Sequence, residues 1–260
     1  MTTRLLTVLV VSLIVLAGCL GGGGPATGDG VDADDGGAAP ADRDDLSVAA
    51  TDGLLRDAGS FTATWSYSTT EAGETATITN AYQVDLRTNR SLETFTMSGP
   101  EARTDFETFV ADGSAYTRYE TDGEAFYQVR PQDDTSFQSA VDRGTLSYES
   151  VDDAQLVGTE TFDGVTVDRY EYSDLSTWRQ IGAGAFGSGG NVTVTDFTVV
   201  ILVDSNGLAR QTAWTLTGET DDGETVSVEW RYEITGVGST DVLDPDWLDE
   251  ARAQQSNGSR

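Results

Sequence analysis

From Phe61 onward the apolar side chains recur at every second position, and with a few interruptions this alternation runs to Ile234. Phe61, Ala63, Trp65 and Tyr67 alternate with Thr62, Thr64, Ser66 and Ser68. After a turn at Glu71-Ala72-Gly73-Glu74, the apolar Ala76, Ile78, Tyr82, Val84 and Leu86 alternate with Thr77, Thr79, Gln83, Asp85 and Arg87. A period of two marks strands with one buried face and one wet face. Further strands are expected near 91–98, 103–111, 114–120, 124–130, 155–162 and 165–172. The clearest three run near 192–204, 208–218 and 224–235. In the last, Val226, Val228, Trp230, Tyr232 and Ile234 share a face opposite Ser227, Glu229, Arg231 and Glu233. Asp112-Gly113, Thr121-Asp122-Gly123, Asp163-Gly164, Ser205-Asn206-Gly207 and Asp221-Asp222-Gly223 fall between strands as hairpin turns.

Elsewhere the period changes. Leu46, Ala50, Leu54 and Ala58 fall four apart and predict a helix over 45–58. Over 134–154 the alternation is lost, and Phe137, Val141 and Leu146 mark one side of a short helix or lid. A helical turn is expected from Asp174 to Ile181, followed by a glycine-rich loop, Gly182 to Gly190. The pattern predicts a mainly β protein of the α+β kind. About eleven strands are counted, mostly hairpin-connected, with helical pieces before the first and in the middle.

The first residues are of another kind. Arg4 precedes an apolar run from Leu5 to Leu16, broken only by Thr7 and Ser12, and Ala17-Gly18 lead into Cys19. A basic start, a short apolar middle and small residues at the cut form a secretory signal. The run is too short for the ~20 residues of a spanning helix, and Gly21 to Gly24 follow at once. Leu16-Ala17-Gly18-Cys19 resembles the lipobox of lipoproteins, in which a peptidase cuts before the cysteine and its sulfur carries a lipid. That resemblance assigns 1–18 to a signal peptide, Cys19 to lipidation, and the protein to the outer face of the cell membrane. Residues 19–45 form an acidic Gly- and Asp-rich tether with too little apolar surface to fold. The β domain then spans 46–248, and 249–260 is a polar tail.

Charge changes the picture further. The chain carries 44 acidic and 15 basic residues for a net charge of -29, and every basic residue is arginine. Acid this dense repels itself unless salt screens it, and it excludes nucleic acid as a partner. Histidine is absent and Cys19 is the only cysteine. No Ser-His-Asp triad, Cys-His pair or histidine-ligated metal site can be assembled. Nothing selects a catalytic pair among the carboxylates, so no enzyme activity, metal or cofactor is expected. Asn89-Arg90-Ser91, Asn191-Val192-Thr193 and Asn257-Gly258-Ser259 match the N-glycosylation pattern, with Asn89 and Asn191 the candidates.

The segments Gly59-Ser60-Phe61, Phe109-Val110-Ala111-Asp112-Gly113 with Tyr116, and Asp244-Pro245 sit in a layout of helix, hairpin-connected sheet and late cap. This layout resembles the lipoprotein-carrier superfamily of LolA, LppX and LprG. With its acidity and lipobox, the chain resembles haloarchaeal surface lipoproteins of that plan, for which no activity is implied. The resemblance implies a single curved antiparallel sheet, a half-barrel of about eleven strands with short helices over its concave face, holding an apolar, lipid-like ligand. Trp65, Tyr67, Tyr82, Trp214, Trp230 and Tyr232 fall on the inner strand faces and are the candidate cavity lining. A structural or protein-interaction lipoprotein with a filled core stands as the other reading.

Overall fold

A computed structural model describes residues 46–100, 103–121, 124–144, 153–175 and 192–258. The expected signal peptide, Cys19, the tether, the glycine-rich loop and Asn191 lie outside them. Eleven strands form one antiparallel sheet. The first six are β1 (Ser60–Glu71), β2 (Glu74–Asp85), β3 (Arg90–Ser98), β4 (Arg103–Ala111), β5 (Ser114–Thr121) and β6 (Glu124–Pro131). The other five are β7 (Gln155–Phe162), β8 (Val165–Tyr172), β9 (Val192–Asp204), β10 (Ala209–Thr220) and β11 (Thr225–Thr235). Their spatial order is β6-β5-β4-β3-β2-β1-β11-β10-β9-β8-β7. The first and last strands of the chain thus meet at the centre, and the edges β6 and β7 leave the sheet open.

Local chemistry explains the tight hairpins. Ala72-Gly73, Asp112-Gly113 and Asp163-Gly164 each place two successive residues at positive φ, between 48° and 81°. That is the type I′ turn, whose twist matches paired strands. Asp112-Gly113 and Asp163-Gly164 are therefore turn residues, as their spacing predicted.

Alternate residues bury one face throughout the centre of the sheet. Phe61 and Ala63 of β1, Val84 of β2 and Ile234 of β11 are fully enclosed, and so are Val199 and Ile201 of β9. The opposite parity is Thr62, Thr64, Ser66 and Ser68 on β1, with Glu229, Arg231 and Glu233 on β11. This is the one-sided pattern of an antiparallel sheet. Helix α1 (Thr51–Ala58) seats Leu55 on the buried face, and helix α2 (Phe137–Asp142) packs Phe137 edge-on against Phe61 at 5.6 Å. Helix α1 is shorter than the expected 45–58, and α2 is the short helix expected within 134–154. Leu146 and most of the helical turn expected from Asp174 to Ile181 lie outside the described residues. Leu46 and Val48 pack on the core ahead of the first helical residue.

A third helix, α3 (Leu248–Gly258), occupies the segment expected as a polar tail. It covers the other face of the sheet. Trp247, Leu248 and Ala251 pack with Phe109, Ala111 and Tyr116 of β4 and β5, residues on the opposite parity from the central core. Among the described residues no helix is long and apolar enough to cross a membrane.

Candidate functional site

Opposed residues of paired strands project from the same face, so the register defines rows that cross the sheet. One row on the face under α1 and α2 reads Tyr170, Ile201, Thr212, Tyr232, Trp65, Asn80, Phe95, Phe106, Tyr119 and Phe126, from β8 to β6. It is aromatic for most of its length. Apart from the enclosed Asn80, its burial falls toward one edge. Ile201, Thr212 and Tyr232 are buried, Phe95 and Phe106 are half-buried, and Tyr119 and Phe126 are 40% and 52% exposed. Phe95 stacks on Phe106 at 4.7 Å, and Phe106 meets Tyr119 at 6.0 Å. The result is an apolar track that opens to solvent toward the β6 edge.

The six aromatic residues singled out from the sequence all lie on this face. Tyr82, Trp214, Tyr67 and Tyr232 are buried, whereas Trp65 and Trp230 are half-buried and pack against both halves of the central core. Trp214 stacks on Trp230 at 6.4 Å with an interplanar angle of 8°, and Tyr67 meets Trp214 edge-on at 6.3 Å. Burial pushes the Tyr67 hydroxyl well above its ordinary pKa. Asn89 is exposed in the β2–β3 turn, where its Nδ2 donates to the Asp133 carbonyl at 2.9 Å. Ser91 of the same tripeptide is fully buried.

Between Trp65 and Phe126 one polar residue interrupts the track. Asn80 stands between Trp65 and Phe95 and is 1% exposed. Its Nδ2 donates to the Tyr82 hydroxyl at 2.8 Å and to Glu93 Oε1 at 3.1 Å. A carboxylate only accepts, so the amide cannot be turned end for end without setting oxygen against oxygen. Asn80 Oδ1 is enclosed and has no hydrogen-bond partner among the described residues. The Tyr82 hydroxyl is pushed up to about 12, first by burial and then by the Glu93 carboxylate, with Arg143 acting against them.

Arg143 follows α2, with its guanidinium 5.4 Å from the centre of the Trp65 ring. It has no carboxylate partner among the described residues. Its position is fixed through the chain beside it. Tyr232 donates its hydroxyl to the Ala140 carbonyl at 2.9 Å, and Gly144 lies flat on the Tyr232 ring. A Cβ at Gly144 would sit 2.2 Å from that ring, so the approach requires glycine. Asn80, Phe95, Phe106, Tyr119, Phe126 and Arg143 were not among the residues the sequence pattern singled out as candidates.

The profile of the Family of unknown function DUF7537 matches residues 4–251. The chain belongs to this family. No curated protein matches it in sequence. Among solved structures it is similar to LprF from Mycobacterium bovis, at 11% identity over 75% of this chain and 96% of that one, with a TM-score of 0.29. MucB, solved in complex with MucA(peri), is matched at 11% identity over 76% of this chain and 57% of that one, TM-score 0.28. The LolA superfamily protein NE2245 from Nitrosomonas europaea is matched at 10% identity over 75% and 96%, TM-score 0.21.

Proposed function

We propose that this member of the family is a lipoprotein, held on the outer face of the membrane through Cys19, that binds a long-chain apolar ligand along the aromatic track of its sheet. The observation that carries the reading is the graded row from Trp65 to Phe126, half-buried at Phe95 and Phe106 and open at Tyr119 and Phe126. Large rings left partly wet in a line offer the apolar surface a ligand needs. Four strand spacings of ~4.8 Å separate Asn80 from Phe126, a track of about 19 Å that suits an extended hydrocarbon chain. Trp65 and Trp230 border it, and the buried Tyr67, Tyr82, Trp214 and Tyr232 form the packed floor that holds them. No enzyme activity enters the proposal. The burial of those four rings favours the filled-core reading for the centre of the sheet, and the ligand surface proposed here is the β3–β6 side.

The test uses the full chain in molar KCl and a pyrene-labelled alkane, read by energy transfer from tryptophan. Saturable binding is expected. Phe126→Ser alters a side chain already half in water, so the fold should hold while affinity falls roughly five- to tenfold, the loss of one ring contact. In cells, Cys19→Ser should move the protein from the membrane to the soluble fraction or leave it uncut. Absence of saturable binding would return the sheet to a structural role, and a processed, membrane-bound Cys19→Ser chain would refute the anchor.

A further inference from the structure

Asn80 is the one place where the track asks for a specific partner. Its Nδ2 is committed to Tyr82 and Glu93, which leaves Oδ1 as an acceptor with no donor among the described residues, enclosed within an aromatic row. A buried acceptor without a donor is rare in folded proteins. Beside it stands Arg143, a donor with no carboxylate among the described residues, in a chain where acids outnumber arginines 44 to 15. Arg143 lies over Trp65, the cross-strand neighbour of Asn80, and acts on Tyr82, the next residue of the same face along β2. The guanidinium therefore stands at two neighbours of Asn80 on this face, Trp65 and Tyr82. It ends a long side chain that a rotamer change can lift off.

Resting on the reading of the track as a ligand surface, we propose that Asn80 and Arg143 recognise a hydroxyl head group, so that the ligand is a long-chain lipid ending in an alcohol or glycerol hydroxyl. A hydroxyl both donates and accepts. It satisfies Asn80 Oδ1 with its hydrogen and Arg143 with its oxygen. An ammonium supplies only donors and meets Arg143 with like charge. A carboxylate or an ester supplies only acceptors and leaves Asn80 Oδ1 bare.

The experiment measures displacement of the pyrene-labelled alkane from the full chain in molar KCl by oleyl alcohol, methyl oleate, oleate and oleylamine. Oleyl alcohol should displace it roughly tenfold better than methyl oleate, the equivalent of one net hydrogen bond, and better than the two charged lipids. Asn80→Leu should bring the alcohol-to-ester ratio to about one. If Asn80→Leu does not fold, oleyl methyl ether, whose oxygen accepts from Arg143 but which has no hydrogen for Asn80 Oδ1, must displace the probe no better than methyl oleate. Equal displacement by alcohol and ester, a better showing by oleate or oleylamine, or a ratio untouched in a folded variant overturns the head-group assignment while leaving the track. Failure of the pyrene alkane itself to bind removes the track and the assignment together.

Discussion

Asp85 shows how much a single carboxylate holds in this fold. It closes β2 and is 4% exposed. Its Oδ1 accepts from the backbone N–H and from Nε of Arg87, both at 3.0 Å, and its Oδ2 accepts from the Thr88 hydroxyl at 2.9 Å. Arg87 then donates from Nη2 to Ser60 Oγ at 3.0 Å and to the Thr240 carbonyl at 3.3 Å. One side chain thereby joins the start of β1, the end of β2 and the loop after β11. Burial alone would raise the Asp85 pKa, but the hydrogen bonds from Arg87 and Thr88 outweigh it and hold the carboxyl below its ordinary value. The charged form is therefore the stabilising one. Its contribution is complete above the unfolded value of about 3.9 and is lost as pH falls through the lower folded value. Asp85→Asn should cost roughly 1.5–3 kcal/mol at neutral pH, the range for hydrogen bonds to a charged group. Thermal melts between about pH 4 and 2 should then decline less steeply than those of the parent; an unchanged acid slope would show that other carboxylates govern it. Residues of this kind are poorly legible in a sequence, because Asp85 reads there as one polar position of an alternating strand. Asn80 left a fainter trace. It occupies the apolar parity of β2 between Ile78 and Tyr82, but nothing short of the register shows that it lies in line with Trp65 and Phe95.

At the level of elements, the strands were legible because each hairpin fixes its own register. Phe106 lies six residues before Asp112 and Tyr119 six after Gly113, so a two-residue turn there brings them face to face. Helix α3 was not legible. Trp247, Leu248 and Ala251 are too few apolar residues to mark a face among Asp249, Glu250 and Arg252. The signal lay in its partner, since β4 carries Phe106 and Val110 on one parity and Phe109 and Ala111 on the other. A strand apolar on both faces is covered on both. Trp247 anchors that cover, donating Nε1–H to Glu107 and packing 6.1 Å from Tyr127, while the Tyr127 hydroxyl donates to Glu250 at 2.6 Å. Trp247→Ala should destabilise by about 3 kcal/mol, the lower range for a large ring removed from a packed site. Hydrogen exchange should locate the loss. Amides of β4, β5 and β6 are expected to lose protection ahead of those in β9 and β10, because the helix touches only the former. A uniform loss across the sheet would mean that α3 and the central core open as one unit.

For the whole molecule, the excess of carboxylates sets the conditions under which any of these contacts form. If every one of the 15 arginines were paired with one acid, 44 − 15 = 29 acidic groups would still lack a cation. The ion pairs among the described residues are mostly at the surface, such as Arg103–Asp105 and Arg231–Glu229, and surface pairs contribute little each. Arg210–Asp204 is the enclosed exception, with both side chains below a tenth exposed. Stability thus depends on screening of the remaining charge rather than on its neutralisation by arginine. At about 0.1 M salt the Debye length is ~10 Å, long enough for neighbouring carboxylates across the sheet to repel; at about 1 M it is ~3 Å and the repulsion is largely gone. Folding gathers these charges into a smaller volume, so low salt penalises the folded state more than the extended chain. The melting temperature should accordingly climb steeply between about 0.1 and 1 M KCl and then flatten. Near-ultraviolet signals from the stacked Trp214 and Trp230 should disappear on dialysis to low salt and return when salt is restored. KCl and NaCl should act alike if screening is the cause. A cation-specific response would point instead to bound ions, and a melting temperature indifferent to salt would break the link between this composition and the fold.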